Sequence, residues 1–245
     1  MNKTIITTSW DDGHPLDEKL SSLLLEHRIT GTFYIPVSNP KMPLMTNEEI
    51  KNLVTKFEIG GHTLTHKVLP SLSEEEMMEE IMKGKEELEK TCDEIISFAY
   101  PKGQYNQKVI GIVKKAGFKG ARTAEFLRYK IKNPFEYHPT VHAFNRILAS
   151  RGKQTVTTND KGLAFYLLKS GTIFKPWYEI AKKSLDFVLN RGGIWHLWGH
   201  SWEINENNDW KNLSNVLDYA KRKGNEYGAD FLSNGEIFTN LSQMN

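Results

Sequence analysis

The stretch ITTSWDDGHP, residues 6–15, places two adjacent carboxylates, Asp11 and Asp12, at the end of a β-branched run, with a glycine behind them. β-Branched and aromatic residues favour a buried strand, so the acids stand where that strand leaves the core. Further apolar runs repeat the pattern at 31–37 (GTFYIPV), 57–62 (FEIGGH), 95–101 (IISFAYP), 118–124 (FKGARTA), 192–199 (GGIWHLWG) and 229–233 (ADFLS). A weaker one lies at 140–144 (TVHAF). Segments of helical periodicity separate them. Thr46 with Glu49 and Ser73 with Glu76 read as capping boxes. The second opens a helix expected to reach about Lys90. Another helix is expected from Pro176 to Asn190, stopped by Gly192 and Gly193. Strands alternating with helices define an α/β chain, either a parallel barrel or a doubly wound sheet. Without linker, repeat or low-complexity tract, residues 1–245 read as a single domain, with 125–160 as an irregular excursion over one face.

Composition narrows the function. The chain is 39% hydrophobic and 25% charged, and its net charge of +2 comes from interspersed acids and bases. No basic patch points to nucleic acid or an anionic membrane. The single cysteine, Cys92, excludes an intramolecular disulfide and a cysteine-based zinc site. Residues 1–10 lack the apolar core of a signal peptide, and no apolar run approaches the ~20 residues that span a bilayer. A soluble, cytoplasmic protein is therefore expected.

In either α/β architecture chemistry gathers at the C-terminal ends of the strands. Asp11 and Asp12 fall there on the first strand, His62 on the third, Lys102 on the fourth, Arg122 on the fifth and His200 on the seventh. That concentration of polar residues at one pole marks a site. Three histidine pairs have the spacing His-x-x-x-His: His62/His66, His138/His142 and His196/His200. On a helical turn such residues are ~6 Å apart and share an ion, whereas on a strand they are ~13 Å apart. Pro139 disfavours helix at His138, and His196 lies inside a strand run. Only His62/His66, entering a turn before Pro70, chelates comfortably. An aspartate from another strand end would complete the set, so one of Asp11 and Asp12 is expected to bind metal and its neighbour to act on water.

These motifs resemble those of the polysaccharide deacetylases (the NodB-homology, carbohydrate esterase family 4 group). TSWDDG is similar to the family's T-F-D-D-G with Trp10 for phenylalanine, and HTLTH to its H-S/T-x-x-H. GTFYI resembles the second strand's motif, FAYPKGQYN (98–106) the third motif and IWHLWGH the last, Leu-x-His. The resemblance implies a distorted (β/α)-barrel of about seven parallel strands. It also implies hydrolysis of an N-acetyl, sometimes O-acetyl, group from a sugar or glycan. Carried over by residue, Asp12, His62 and His66 would hold one divalent metal, most often zinc. Asp11 would be the general base and His200 the general acid, with a backbone N–H of the Pro101–Lys102–Gly103 turn facing the oxyanion. His200 is preferred over His196 because it stands at the strand's end. Two departures stand out. Ala99 occupies the place of an arginine that braces the base, a task Arg122 could take from the fifth strand. Lys102 replaces a common aromatic, which would suit an anionic substrate. Among the tryptophans near the last motif, Trp198 and Trp202 are assigned to the sugar. Two other functions fit the motifs: a metal-dependent amide hydrolase of a small non-sugar molecule, and a sugar-binding relative without catalysis.

Overall fold

In the computed structural model, which describes residues 3–145 and 161–243, eight strands form one parallel sheet. They are β1 (Thr4–Asp11), β2 (Thr32–Ile35), β3 (Glu58–Gly61), β4 (Ser97–Ala99), β5 (Gly120–Arg122), β6 (Val141–His142), β7 (Gly193–Gly199) and β8 (Asp230–Phe231). The order around the sheet is β5-β4-β3-β2-β1-β7-β6. Residues 137–143 bring the two ends of that series together. On one side the Tyr137 N–H donates to the Ala121 carbonyl at 3.0 Å, and the Thr123 N–H donates to that of Tyr137 at 2.8 Å. On the other, the Thr140 and Ala143 N–H groups donate to the His196 and Trp198 carbonyls at 2.9 and 2.7 Å. The result is the distorted (β/α)-barrel of seven strands that the sequence implied. β8 pairs with Ile5 and Ile6 at the start of β1, where β2 does not reach, since β2 pairs only from Ser9 onward.

The helices are α1 (Asp17–Glu26), α2 (Asn47–Val54), α3 (74–88), α4 (Gln107–Lys115), α5 (Lys161–Lys169), α6 (Trp177–Arg191), α7 (Ser201–Glu206), α8 (Trp210–Tyr227) and α9 (Asn234–Gln243). Both capping boxes form, at Thr46 and at Ser73. The periodicity did not show that α3 carries one π turn, Glu79–Lys83, and stops at Leu88. The part of the irregular excursion at 146–160 lies outside the described residues.

β1 is buried along almost its whole length. Alternate side chains point to opposite faces of a strand. Ile6 and Trp10 join the outer apolar layer with Leu20, Leu24 and Leu213, while Thr7, Ser9 and Asp11 face the barrel interior. There Thr7 meets Asn234, Ser9 meets His196 and Asp11 meets Arg122. The interior is thus polar rather than filled by aliphatic layers. Its lower end is closed by the start of α9. The Asn234 side chain donates to the Tyr34 hydroxyl at 2.9 Å, and the Gly235 N–H donates to half-buried Glu58 at 2.8 Å. Phe238 packs so tightly on Gly120 that a Cβ there would lie 2.4 Å from its ring. The polar column ends below in α9 and above in the two aspartates of β1.

Candidate active site

Asp11 ends β1 pointing inward, and the chain then turns through Asp12 (φ 82°) and Gly13 (φ 60°). This left-handed step lets the second carboxylate look across the barrel mouth instead of outward, as strict alternation would have it. Asp12 Oδ1 lies 3.3 Å from His66 Nε2 and 3.8 Å from His62 Nε2. The three donor atoms lie within 4.8 Å of one another. The sequence argument relied on a helical turn to join the histidines. The structure joins them through a bend with Thr63 (φ 70°) and His66 (φ 56°) in the left-handed region. Such residues are strained by roughly 1 kcal/mol or more each and persist where the surroundings hold them.

α3 holds that bend. Its π turn directs Glu80 at the loop, where the carboxylate accepts the Thr65 N–H at 2.8 Å and the Thr65 hydroxyl at 2.5 Å. The Glu80 carbonyl accepts the Leu64 N–H at 2.8 Å. Gly84 lets the helix approach, since a Cβ there would lie 2.7 Å from the Leu64 nitrogen and from the Thr63 carbonyl carbon. His62 Nδ1 is 2.8 Å from the Ala99 carbonyl. An N–H there leaves the Nε2 lone pair facing Asp12 and His66. Burial, with repulsion from His66, holds the His62 pKa at about 4, so the ring is neutral. The second oxygen of Asp12 accepts the Trp202 indole N–H at 3.0 Å. Two imidazole nitrogens and an anchored carboxylate make a donor set that fits a divalent ion such as zinc, with room left for other ligands.

Beside it, Asp11 Oδ2 accepts from Arg122 and from the Trp198 indole N–H, the latter at 3.0 Å, while Oδ1 is buried without a hydrogen-bond partner among the described residues. Burial alone would raise the Asp11 pKa, but the adjacent Arg122 charge outweighs it and the group titrates at about 2. Arg122 is fully buried and donates also to the Thr123 carbonyl at 3.0 Å. The guanidinium therefore reaches Asp11 from β5, in contact with the side chain that Ala99 cannot contact.

His200 follows β7, its Nε2 4.0 Å from Asp11 and 3.9 Å from Asp12. Its Nδ1 is 2.6 Å from Glu203 Oε2, which also accepts His142 Nε2 at 3.0 Å. Burial disfavours imidazolium, yet the Glu203 hydrogen bond and charge prevail and the His200 pKa is raised. These three residues also lie within 4.8 Å of one another, but one carboxylate oxygen already joins the two rings, so they form a hydrogen-bonded relay. His196 is fully buried, 2.8 Å from the Ser9 hydroxyl and stacked on Tyr137. Burial and the nearby Arg122 push its pKa well down and keep it neutral.

The cleft above these groups has a volume of about 1060 Å³ and is lined by all of the expected site residues except buried Arg122. Trp198 does not offer a face to a sugar. His142 stacks on it at 4.1 Å, Arg122 lies 4.9 Å from its ring centroid, and its N–H is on Asp11. Its position fits orientation of Asp11, leaving half-buried Trp202 as the cleft aromatic. Glu203 and His142 were missed by sequence reasoning. The spacing His200-x-x-Glu203 at a helix start would have indicated the first; nothing local indicates a partner 61 residues away.

The polysaccharide deacetylase family model matches residues 1–121 of this chain and so ends within β5. Among curated proteins, a peptidoglycan-N-acetylglucosamine deacetylase of Bacillus cereus is 29% identical over 120 residues, 48% of this chain and 55% of that protein. The chain thus matches about half the length of that relative. Among solved structures, a Mycobacterium smegmatis protein assigned to the polysaccharide deacetylases gives a TM-score of 0.69 at 13% identity, over 99% of this chain and 91% of that one. A family 4 carbohydrate esterase from Streptomyces lividans, in complex with acetate, gives 0.54 at 12% identity, over 92% and 90%. A family pseudoenzyme from Bacillus anthracis gives 0.57 at 16%, over 97% and 66%. Such likenesses establish the fold. Activity has to be argued from the side chains.

Proposed function

We propose that the protein is a metal-dependent hydrolase that removes an acetyl group from an N-acetylated sugar or glycan and releases acetate. The observation that carries this reading is the pairing at one barrel mouth of a three-donor cluster, Asp12, His62 and His66, with a separately anchored carboxylate and an imidazole across from it. When bound there, a divalent ion would polarise the acyl carbonyl and lower the pKa of its bound water toward ~7, the condition under which a base as weak as Asp11 accepts a proton. Arg122 and Trp198 hold one oxygen of Asp11, so the other, Oδ1, is the proton acceptor.

The developing oxyanion needs a fixed donor. The Lys102 backbone N–H lies on the cleft wall and has no acceptor among the described residues. An amine leaves readily only when protonated. His200, held as imidazolium by Glu203 with Nε2 toward the aspartates, is the donor. His196 faces Ser9 inside the barrel and stays out of the reaction.

The test is acetate release from N-acetylated sugars by protein loaded with zinc, and again after chelation. Release that stops on chelation and returns with metal is expected. No release from a panel of N-acetylated mono- and oligosaccharides by metal-loaded protein would overturn the proposal.

A further inference from the structure

The two sides of the cleft differ in charge. His200 and Trp202 come from the β7 side. The opposite wall is built by the loops that follow β2, β3 and β4, which lie next to one another in the sheet. Each of those three loops contributes a lysine to the lining: Lys41, Lys67 and Lys102. The acids of the lining are Asp11, Asp12 and Glu203, each already engaged at the floor by Arg122, Trp202 or the two histidines. Lys67 has Glu80 at 3.4 Å. Neither the Lys41 nor the Lys102 ammonium has a carboxylate partner among the described residues.

The position of Lys102 is fixed by its backbone. It sits at φ 55° on a turn closed by the Gly103 N–H donating to the Tyr100 carbonyl at 2.7 Å. Gly103 packs against Ala124, where a Cβ would lie 2.6 Å from the Ala124 nitrogen. A lysine at positive φ is strained, and here the strain holds its side chain at the cleft rim beside the backbone N–H assigned to the oxyanion. With the acetyl group at the floor and the sugar ring beside Trp202, whatever projects toward β2–β4 meets three ammonium groups. The cleft volume of about 1060 Å³ exceeds what one acetylated sugar ring fills.

We propose that this basic arc selects an anionic substrate, an N-acetylated sugar carrying a carboxylate or a phosphate on the side turned to β2–β4. The inference rests on the deacetylase reading and names its substrate class. The shared chemistry is a negative charge within reach of Lys41, Lys67 and Lys102. Cleft lysines attract such a group over the Debye length and fix which end of the substrate enters.

The experiment compares kcat/KM of the metal-loaded protein for three probes: N-acetylglucosamine, N-acetylglucosamine 1-phosphate and N-acetylmuramic acid. At least one charged probe should be preferred over the neutral one by about tenfold or more at low salt, and the ratio should shrink as salt is raised. The phosphate and carboxylate arms tell the two sources of charge apart. In Lys41→Gln/Lys102→Gln the charged-to-neutral ratio should fall about three- to tenfold. Equal turnover of neutral and charged probes, or a ratio unmoved in the double variant, would overturn this inference and leave the deacetylase reading standing. Absence of acetate from every probe would overturn both.

Discussion

Glu203→Gln probes the proton donor. In the native site one carboxylate oxygen accepts from His200 at 2.6 Å and from His142 at 3.0 Å, and its charge favours the imidazolium form of His200. Glutamine keeps an acceptor of similar shape and removes the charge. A charge-assisted hydrogen bond is worth roughly twice a neutral one, so about 1–1.5 kcal/mol of imidazolium stabilisation should go. At 1.36 kcal/mol per unit, the His200 pKa falls by about one. The sign follows from the role. A donor must be protonated, so lowering its pKa moves the alkaline limb of the rate profile to lower pH. The assay is kcat against pH on an N-acetylated sugar, with the His200 ring followed by NMR in parallel. If the ring pKa falls while the alkaline limb stays in place, His200 is not the donor.

Three other outcomes follow from buried groups. Asp17 is fully buried, and burial lifts its pKa to about 8 despite the nearby Ser201 hydroxyl. The folded state then holds a proton that the unfolded chain releases near pH 4, so stability falls as pH rises from about 4 to 8. Asp17→Asn should raise the Tm at pH 7 and flatten that slope, and an unchanged slope in thermal melts would exclude Asp17 as its source. Gly84→Ala pushes a methyl into the backbone at Thr63 and Leu64, and should weaken zinc binding and destabilise by about 1–3 kcal/mol; wild-type affinity in a metal titration would mean that α3 does not set the loop. Arg122→Gln removes the charge that holds Asp11 at about 2, so the acid limb of kcat should move to higher pH. The native pair stabilises the fold above pH ~4, and that contribution is lost as pH falls toward 2. An unmoved acid limb would show that Asp11 is not the base.

The strands were legible because β-branched and aromatic runs recur between capped helices, and the pole of chemistry because Asp11, Asp12, His62, Lys102, Arg122 and His200 all fall at or just after the ends of such runs. What escaped was set by three-dimensional context. The bend at 62–66 is shaped by Glu80 and Gly84 on α3, whose own π turn leaves the helical periodicity intact. Arg122 read from sequence as a residue at a strand end. Its link to Asp11 crosses the barrel between strands that are four places apart in the sheet order. Trp198 was assigned to the sugar from its place near the last motif, and sequence position does not tell which ring faces are covered. His142, on the opposite side of the ring, takes its face. The relay through Glu203 joins β6 to α7, and two residues of β6 carry too little pattern to announce it.

The division of labour between the two aspartates is the centre of the account, and metal content decides it. The measurement is the number of zinc ions retained per chain after dialysis by the wild type, Asp11→Asn and Asp12→Asn, each shown to be folded. The account predicts one ion in the wild type and in Asp11→Asn, and most of it lost in Asp12→Asn, since only Asp12 faces His62 and His66 at 3.8 and 3.3 Å. Equal loss in both variants, or full retention in Asp12→Asn, would contradict it.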